Sequence, residues 1–132
     1  MKRLTVWLFV AVIVVVASSV VLAEKADNAK NEMMTLTGEI VDTGCYLDHS
    51  AKGAEHKSCA TKCIANGMAM ALLTKDNTLY LLTMSHDDAD PYNMAKTLAA
   101  SMVEIKGHVH ENGGMKGIEV IQIKEIGAKD KG

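Results

Sequence analysis

Apolar and polar positions change rhythm several times along the chain, and each rhythm predicts a different element. The first rhythm has no period at all. From Leu4 to Ala23 the chain is uncharged and mostly apolar, and Val12 to Val16 shows no polar face of the kind a core helix would carry. Lys2 and Arg3 precede this stretch, and it ends in Val21-Leu22-Ala23 with Glu24 directly after. A basic start, an apolar run and a small-x-small ending predict a secretory signal over residues 1–23. The run is also close to the roughly 20 apolar residues that span a bilayer, so an uncleaved membrane anchor is the competing expectation. No cysteine follows the run, which argues against lipid attachment. The basic start with no basic cluster after the segment places the remainder outside the cytoplasm in either case. The expected location is periplasmic or otherwise extracytoplasmic, free or held at the inner membrane by residues 1–23.

Glu24 to Glu32 is polar and aperiodic, and residues 24–34 read as a flexible spacer. Structure is expected from Thr35. Leu36, Gly38 and Ile40 alternate with Thr35, Thr37, Glu39 and Val41, which predicts a strand with one face inward. Thr43-Gly44 reads as its end, and Cys45 to Gly53 as irregular chain. A helix is expected from Ala54 to Ala65, stopped by Asn66-Gly67. Apolar runs at 68–74 and 78–83 flank Lys75-Asp76-Asn77 and predict a hairpin. Asp90-Pro91 opens a second helix, with Asp90 as the expected cap and Met94, Leu98 and Met102 as its expected buried face. Val103, Ile105, Gly107 and Val109 alternate on a strand, Asn112-Gly113-Gly114 turns the chain, and residues 117–126 return as the last strand. Residues 128–132 are a polar tail.

The order is thus strand, helix, hairpin, helix, hairpin. Five short strands with glycine at the bends predict a mainly β domain over residues 35–127, a small OB-like barrel with two short helices. An α+β sandwich is the alternative. Parallel βαβ units fit less well, since two of the connections are tight turns.

Composition narrows the partners. Removing residues 1–23 from the 132 leaves 109, enough for one core and too few for two. The remainder carries 12 basic residues against 16 acidic ones, a formal charge of −4. A nucleic-acid binder needs a basic footprint and stacking rings. This domain has only Tyr46, Tyr80 and Tyr92, so nucleic acid is excluded as a partner. The membrane is a partner only through the N-terminal segment. Methionine is abundant and expected mainly as core filler.

The chemistry gathers between Cys45 and Cys63. All three cysteines lie here (Cys45, Cys59 and Cys63), together with His49 and His56. At about 100° per residue on a helix, His56, Cys59 and Cys63 fall within an arc of about 60°. One helix face can present an imidazole and two sulfurs, with Cys45 or His49 folded over them from the preceding loop. Thiolates suit monovalent copper, zinc and iron, and imidazole suits zinc, copper and iron. Cys45, His49, His56, Cys59 and Cys63 are therefore the candidate ligands of a soft or borderline metal. The spacing is not that of a zinc finger, and no haem-attachment motif is present. The pair Cys59 and Cys63 resembles that of copper chaperones of cytochrome oxidase assembly, but the rest of the chain does not look like their thioredoxin fold.

Two other readings stay open. An oxidising compartment favours a disulfide, which would leave one spare or redox-active thiol, and the partner would then be a redox protein. Cys59 and Cys63 can bridge each other only with strain, whereas Cys45 can pair with either more easily. A neighbouring imidazole can also activate a thiol for catalysis. Nothing here supplies an oxyanion loop or an orienting acid, and Asp48 reads as a turn residue, so a binding role is preferred to an enzymatic one. Elsewhere, His108 and His110 share one face of a strand with Glu104 and Lys106 and read chiefly as solvated surface. His86 to Asp90 lacks the glycine and terminal glutamate of a calcium loop. Met68 and Met70 read as core, with one of them a candidate extra sulfur ligand.

The string GEIVDTGCYLDHSAKGAEHKSCATKCI from Gly38 to Ile64, continued through Gly67-Met68 and Leu79-Tyr80-Leu81-Leu82, resembles a group of small exported bacterial proteins of undefined activity. They share a cysteine-tyrosine-leucine start and a histidine-x-x-cysteine-alanine-x-x-cysteine helix. Cys45, Tyr46, Leu47, His49, Gly53, His56, Cys59, Ala60 and Cys63 match, while Ser50 replaces an expected glycine and Ala69 an expected proline. The resemblance implies export, an OB-like barrel and a purpose for the cysteine–histidine set, without naming what that set binds.

Overall fold

The computed structural model describes residues 33–127. The expected signal or anchor at 1–23, most of the spacer and the tail at 128–132 lie outside the described residues. Among the described residues no helix is long and apolar enough to cross a membrane.

Five strands close into a barrel: β1 (Met33–Asp42), β2 (Met70–Thr74), β3 (Leu79–Met84), β4 (Met102–Asn112) and β5 (Met115–Glu125), in the order β1-β2-β3-β5-β4. β1 pairs antiparallel with β2 through Gly38–Asp42 and with β4 through Met33–Glu39. β3 and β5 pair in parallel, and this one parallel contact lets antiparallel hairpins close into a ring. The mainly β, OB-like expectation holds. The helices are three instead of two: α1 (Thr43–His49), α2 (Lys57–Ala65) and α3 (Asp90–Thr97). A single 3-10 turn, Ala54–His56, leads into α2.

Alternation puts Ile40, Leu72, Val103, Ile105, Ile118 and Val120 inside the barrel, all fully buried. Each such side chain contributes about 1.5–3 kcal/mol by leaving water. Gly38 and Gly107 are fixed by close approach. A Cβ at Gly38 would strike the Leu73 carbonyl, and one at Gly107 the Glu119 carbonyl. The β4–β5 register slips by one between Lys106 and Gly107, a bulge of the kind that bends a strand round a barrel. A second apolar cluster, Val41, Ala71 and Leu73, lies on the outer side of β1 and β2 beneath Tyr46 of α1. That cover is why Val41 is buried although Ile40 beside it faces in.

α3 begins where Asp90-Pro91 predicts, but its details differ. Asp90 is already helical, and the Asp88 carboxylate accepts its N–H at 2.9 Å. Its buried residue is Ala95, with Ala99 buried just past its end, and not Met94 and Met102, which are 52% and 48% exposed. Met102 belongs to β4, and the small alanines let the helix lie close against the barrel. Leu98 packs against the core as expected. Met70 is buried, whereas Met68 is 40% exposed.

Candidate metal centre

The connection from β1 to β2 builds the site. β1 ends at Asp42, whose side chain continues the inward set of Gly38 and Ile40 and is fully buried. Its Oδ1 accepts the Cys45 N–H at 2.9 Å and so caps α1. The segment expected to be irregular is therefore helical from Thr43. Gly44 does not break it: the place of its absent Cβ is taken by Met68, whose Sδ would lie 2.9 Å from such an atom. α1 ends at Ser50, in the left-handed conformation with φ 58°. The chain then turns through Gly53, whose N–H is held by the Glu39 carboxylate. It enters α2 with Ala60 and Ile64 facing the core. That anchoring turns Cys59 and Cys63, on the next positions of the helix, toward α1.

The three sulfurs of Cys45, Cys59 and Cys63 all lie within 4.8 Å of one another. All three cysteines are free, Cys59 exposed and the other two half-buried. A metal at the Zn–S length of about 2.3 Å would hold such sulfurs about 3.8 Å apart, so small side-chain movements suffice to seat one. A second group shares Cys45: ligand atoms of Asp42, Cys45 and His56 also lie within 4.8 Å of one another. His56 is oriented by this group, its Nε2 standing 3.0 Å from Asp42 Oδ2 with only 15% of its side chain exposed. A carboxylate on one imidazole nitrogen is the contact that typically orients a metal-binding histidine.

His49 stands apart. It is exposed, bonds Asp48 at 3.1 Å, and its ring lies edge-on to that of His56 at 6.3 Å between centroids. It belongs to neither group. Asp42 was missed in the sequence, although the alternation that turns Gly38 and Ile40 inward continues to it. An acidic side chain on an inward register position was the available signal.

The electrostatics follow from burial. Burial pushes the Asp42 carboxyl up, but the backbone and thiol of Cys45 and the imidazole of His56 outweigh it and hold the group below its ordinary value. The Cys45 thiol donates toward Asp42, and this bond, with burial and the aspartate charge, pushes its pKa up to about 12. Burial chiefly, and then Cys59, raise Cys63 as well. Without metal, Cys45 is thus a neutral thiol and a poor nucleophile at neutral pH. A cation among the sulfurs would reverse that order, since bound thiols lose their protons.

A groove of about 530 Å³ lies between Thr43 and Leu47, the β2–β3 hairpin and the β4–β5 turn. No histidine, cysteine or carboxylate lines it, so it is not an extension of the cluster.

No family model matches this chain, and no curated protein matches it. Among solved structures it is similar to the hypothetical protein ygiW from E. coli, at 18% identity over 76% of this chain and 85% of that one, with a TM-score of 0.42. That likeness is too loose to carry function, and the barrel assignment rests on the strand pairing itself.

Proposed function

We propose that this protein is an exported binding module that holds one soft metal ion through Cys45, Cys59 and Cys63. The observation that supports it is the convergence of three sulfurs, from two helices, within 4.8 Å. Three thiolates select monovalent copper, zinc or iron over harder ions. The Asp42–His56 pair supplies the adjoining donors, and His56 is the preferred fourth ligand because Asp42 is already engaged by the Cys45 N–H. The raised Cys45 and Cys63 thiols argue against nucleophilic catalysis by the metal-free protein.

Metal content and free thiols, measured on one sample of protein purified without chelators, test this. The expected result is about one ion per chain with all three thiols masked, and loss of that thiol-masking ion in the Cys59→Ala/Cys63→Ala variant. Unchanged metal content in that variant would end the proposal. The second reading is a thiol–disulfide device. The exposure of Cys59 beside two further sulfurs favours it. It predicts a metal-free protein with two cysteines bridged and one free.

A further inference from the structure

We propose a second metal site, on the outer surface of the barrel, in which His108 and His110 of β4 chelate a late transition ion, Cu²⁺ the most tightly. The inference is independent of the cysteine cluster and uses none of its residues.

Positions 108 and 110 are two apart on one strand, so both side chains leave the same face. That face is the outer one, because Val103, Ile105 and Gly107 face in. The two rings stand 6.5 Å apart between centroids, tilted by 35°. Two imidazole nitrogens on one ion at about 2.0–2.1 Å lie at most about 4 Å apart, a closer approach that rotation of the exposed His110 side chain would bring. The neighbouring strands place two further donor side chains on this face. Met33 of β1 and Glu119 of β5 pair with His108 in register on either side, and directly paired side chains share a face. Met33 is 45% exposed. The β5 partner of His110 is Gly117, which has no side chain to occupy the space beside that ring.

Two imidazoles with a thioether and a carboxylate on the same face suit copper, nickel and zinc, and do not suit magnesium or calcium. Among divalent first-row ions, Cu²⁺ binds such donors most tightly. The exposed methionine adds a sulfur that a hard ion would not use.

Ni²⁺ is the probe, because thiols do not reduce it. It is titrated by calorimetry into the full chain and into two variants, His108→Ala/His110→Ala and Cys59→Ser/Cys63→Ser, each checked for native circular dichroism. The proposal expects the histidine variant to lose one equivalent of Ni²⁺ that the cysteine variant retains. His110→Ala alone should weaken that equivalent at least about tenfold, since the second imidazole binds intramolecularly. Ni²⁺ binding by the histidine variant equal to that of the native chain overturns the proposal, as does an equivalent lost from both variants. Should the cysteine variant not fold, paramagnetic broadening in the native chain decides. Selective loss of the His108 and His110 ring signals supports the site, and rings left sharp overturn it.

Discussion

The connection from β1 to β2 and the connection from β4 to β5 close the same barrel by opposite means. The second is as short as a hairpin allows. Gly113 and Gly114 sit at φ 58° and 80° between the paired residues Asn112 and Met115. Positive φ at both central positions matches the twist of the flanking strands. The first connection runs from residue 43 to 69 and carries two helices, a 3-10 turn and every cysteine of the chain. The short turn is specified by backbone conformation alone. The long connection is specified by side chains: the Asp42 cap, the Glu39 bond to Gly53, and Ala60 and Ile64 seated on the barrel. A rigid ring thus frees one insertion to hold side chains for chemistry, and one residue that folds this insertion, Asp42, also lines its site.

That comparison can be broken at several points. The largest effect is expected from the metal. An ion present at a thousand times its dissociation constant adds about 4 kcal/mol to the folded state. For a domain of this size the thermal midpoint should rise by roughly 15–30 °C. The Cys59→Ala/Cys63→Ala variant should lose most of this rise, and calorimetric scans with and without ion check both. A native protein whose midpoint ignores the ion would mean that the long connection is held by packing alone.

Next comes Asp42. Asp42→Ala removes the α1 cap, leaves the buried Cys45 N–H without its acceptor and strips His56 of its partner. A cost of about 3 kcal/mol is expected in urea unfolding. Asp42→Asn keeps the acceptor and should cost less, while its Cys45 thiol should titrate lower than about 12, because the aspartate charge that raises it is gone. Thiolate absorbance against pH reads that shift.

The pH dependence is of similar size. Cys45 and Cys63 both have raised pKa values, so seating an ion releases their protons. With all three thiols deprotonated on binding, affinity should climb by up to about a thousandfold per pH unit near neutrality, and competition titrations at pH 6, 7 and 8 measure the slope. Stability without metal has two edges. The raised Cys45 thiol contributes below its ordinary value of 9.0, and that contribution disappears as pH rises toward about 12. The depressed Asp42 carboxyl contributes above its ordinary 3.8, and that contribution disappears as pH falls through its lowered value.

The smallest effect belongs to the short connection. Gly113→Ala forces a side chain into a left-handed position and should cost about 1–2 kcal/mol without touching metal content. A Gly113→Ala protein that lost its metal would show that the two connections are coupled.

The barrel was legible because its signal is periodic. Ile40, Val103, Ile105 and Val120 alternate with polar residues, and tight turns mark the hairpins. α1 was not, since its seven residues include no buried one and so no apolar stripe. Its evidence was the capping aspartate, which reads as the last residue of a strand. The face of α3 was misread because methionine outranks alanine in hydrophobicity, while a helix pressed on a barrel needs small residues at the contact. The cysteines were legible as a set from their helical spacing. The coupling of Cys45 to both Asp42 and His56 depends on where a loop returns, which spacing along the chain does not encode.

The strand pairings also set an order of assembly. β1 meets β2 across a separation that ends at Thr74, but it meets β4 only when His108 has been made and brought back. Closing the smaller loop loses less chain entropy. Loop closure alone therefore favours bringing the sulfurs together in a half-built sheet, before the ring is shut. A chain folding in this order would present a nearly complete ligand set early, so capture of an ion and completion of the barrel would compete in time.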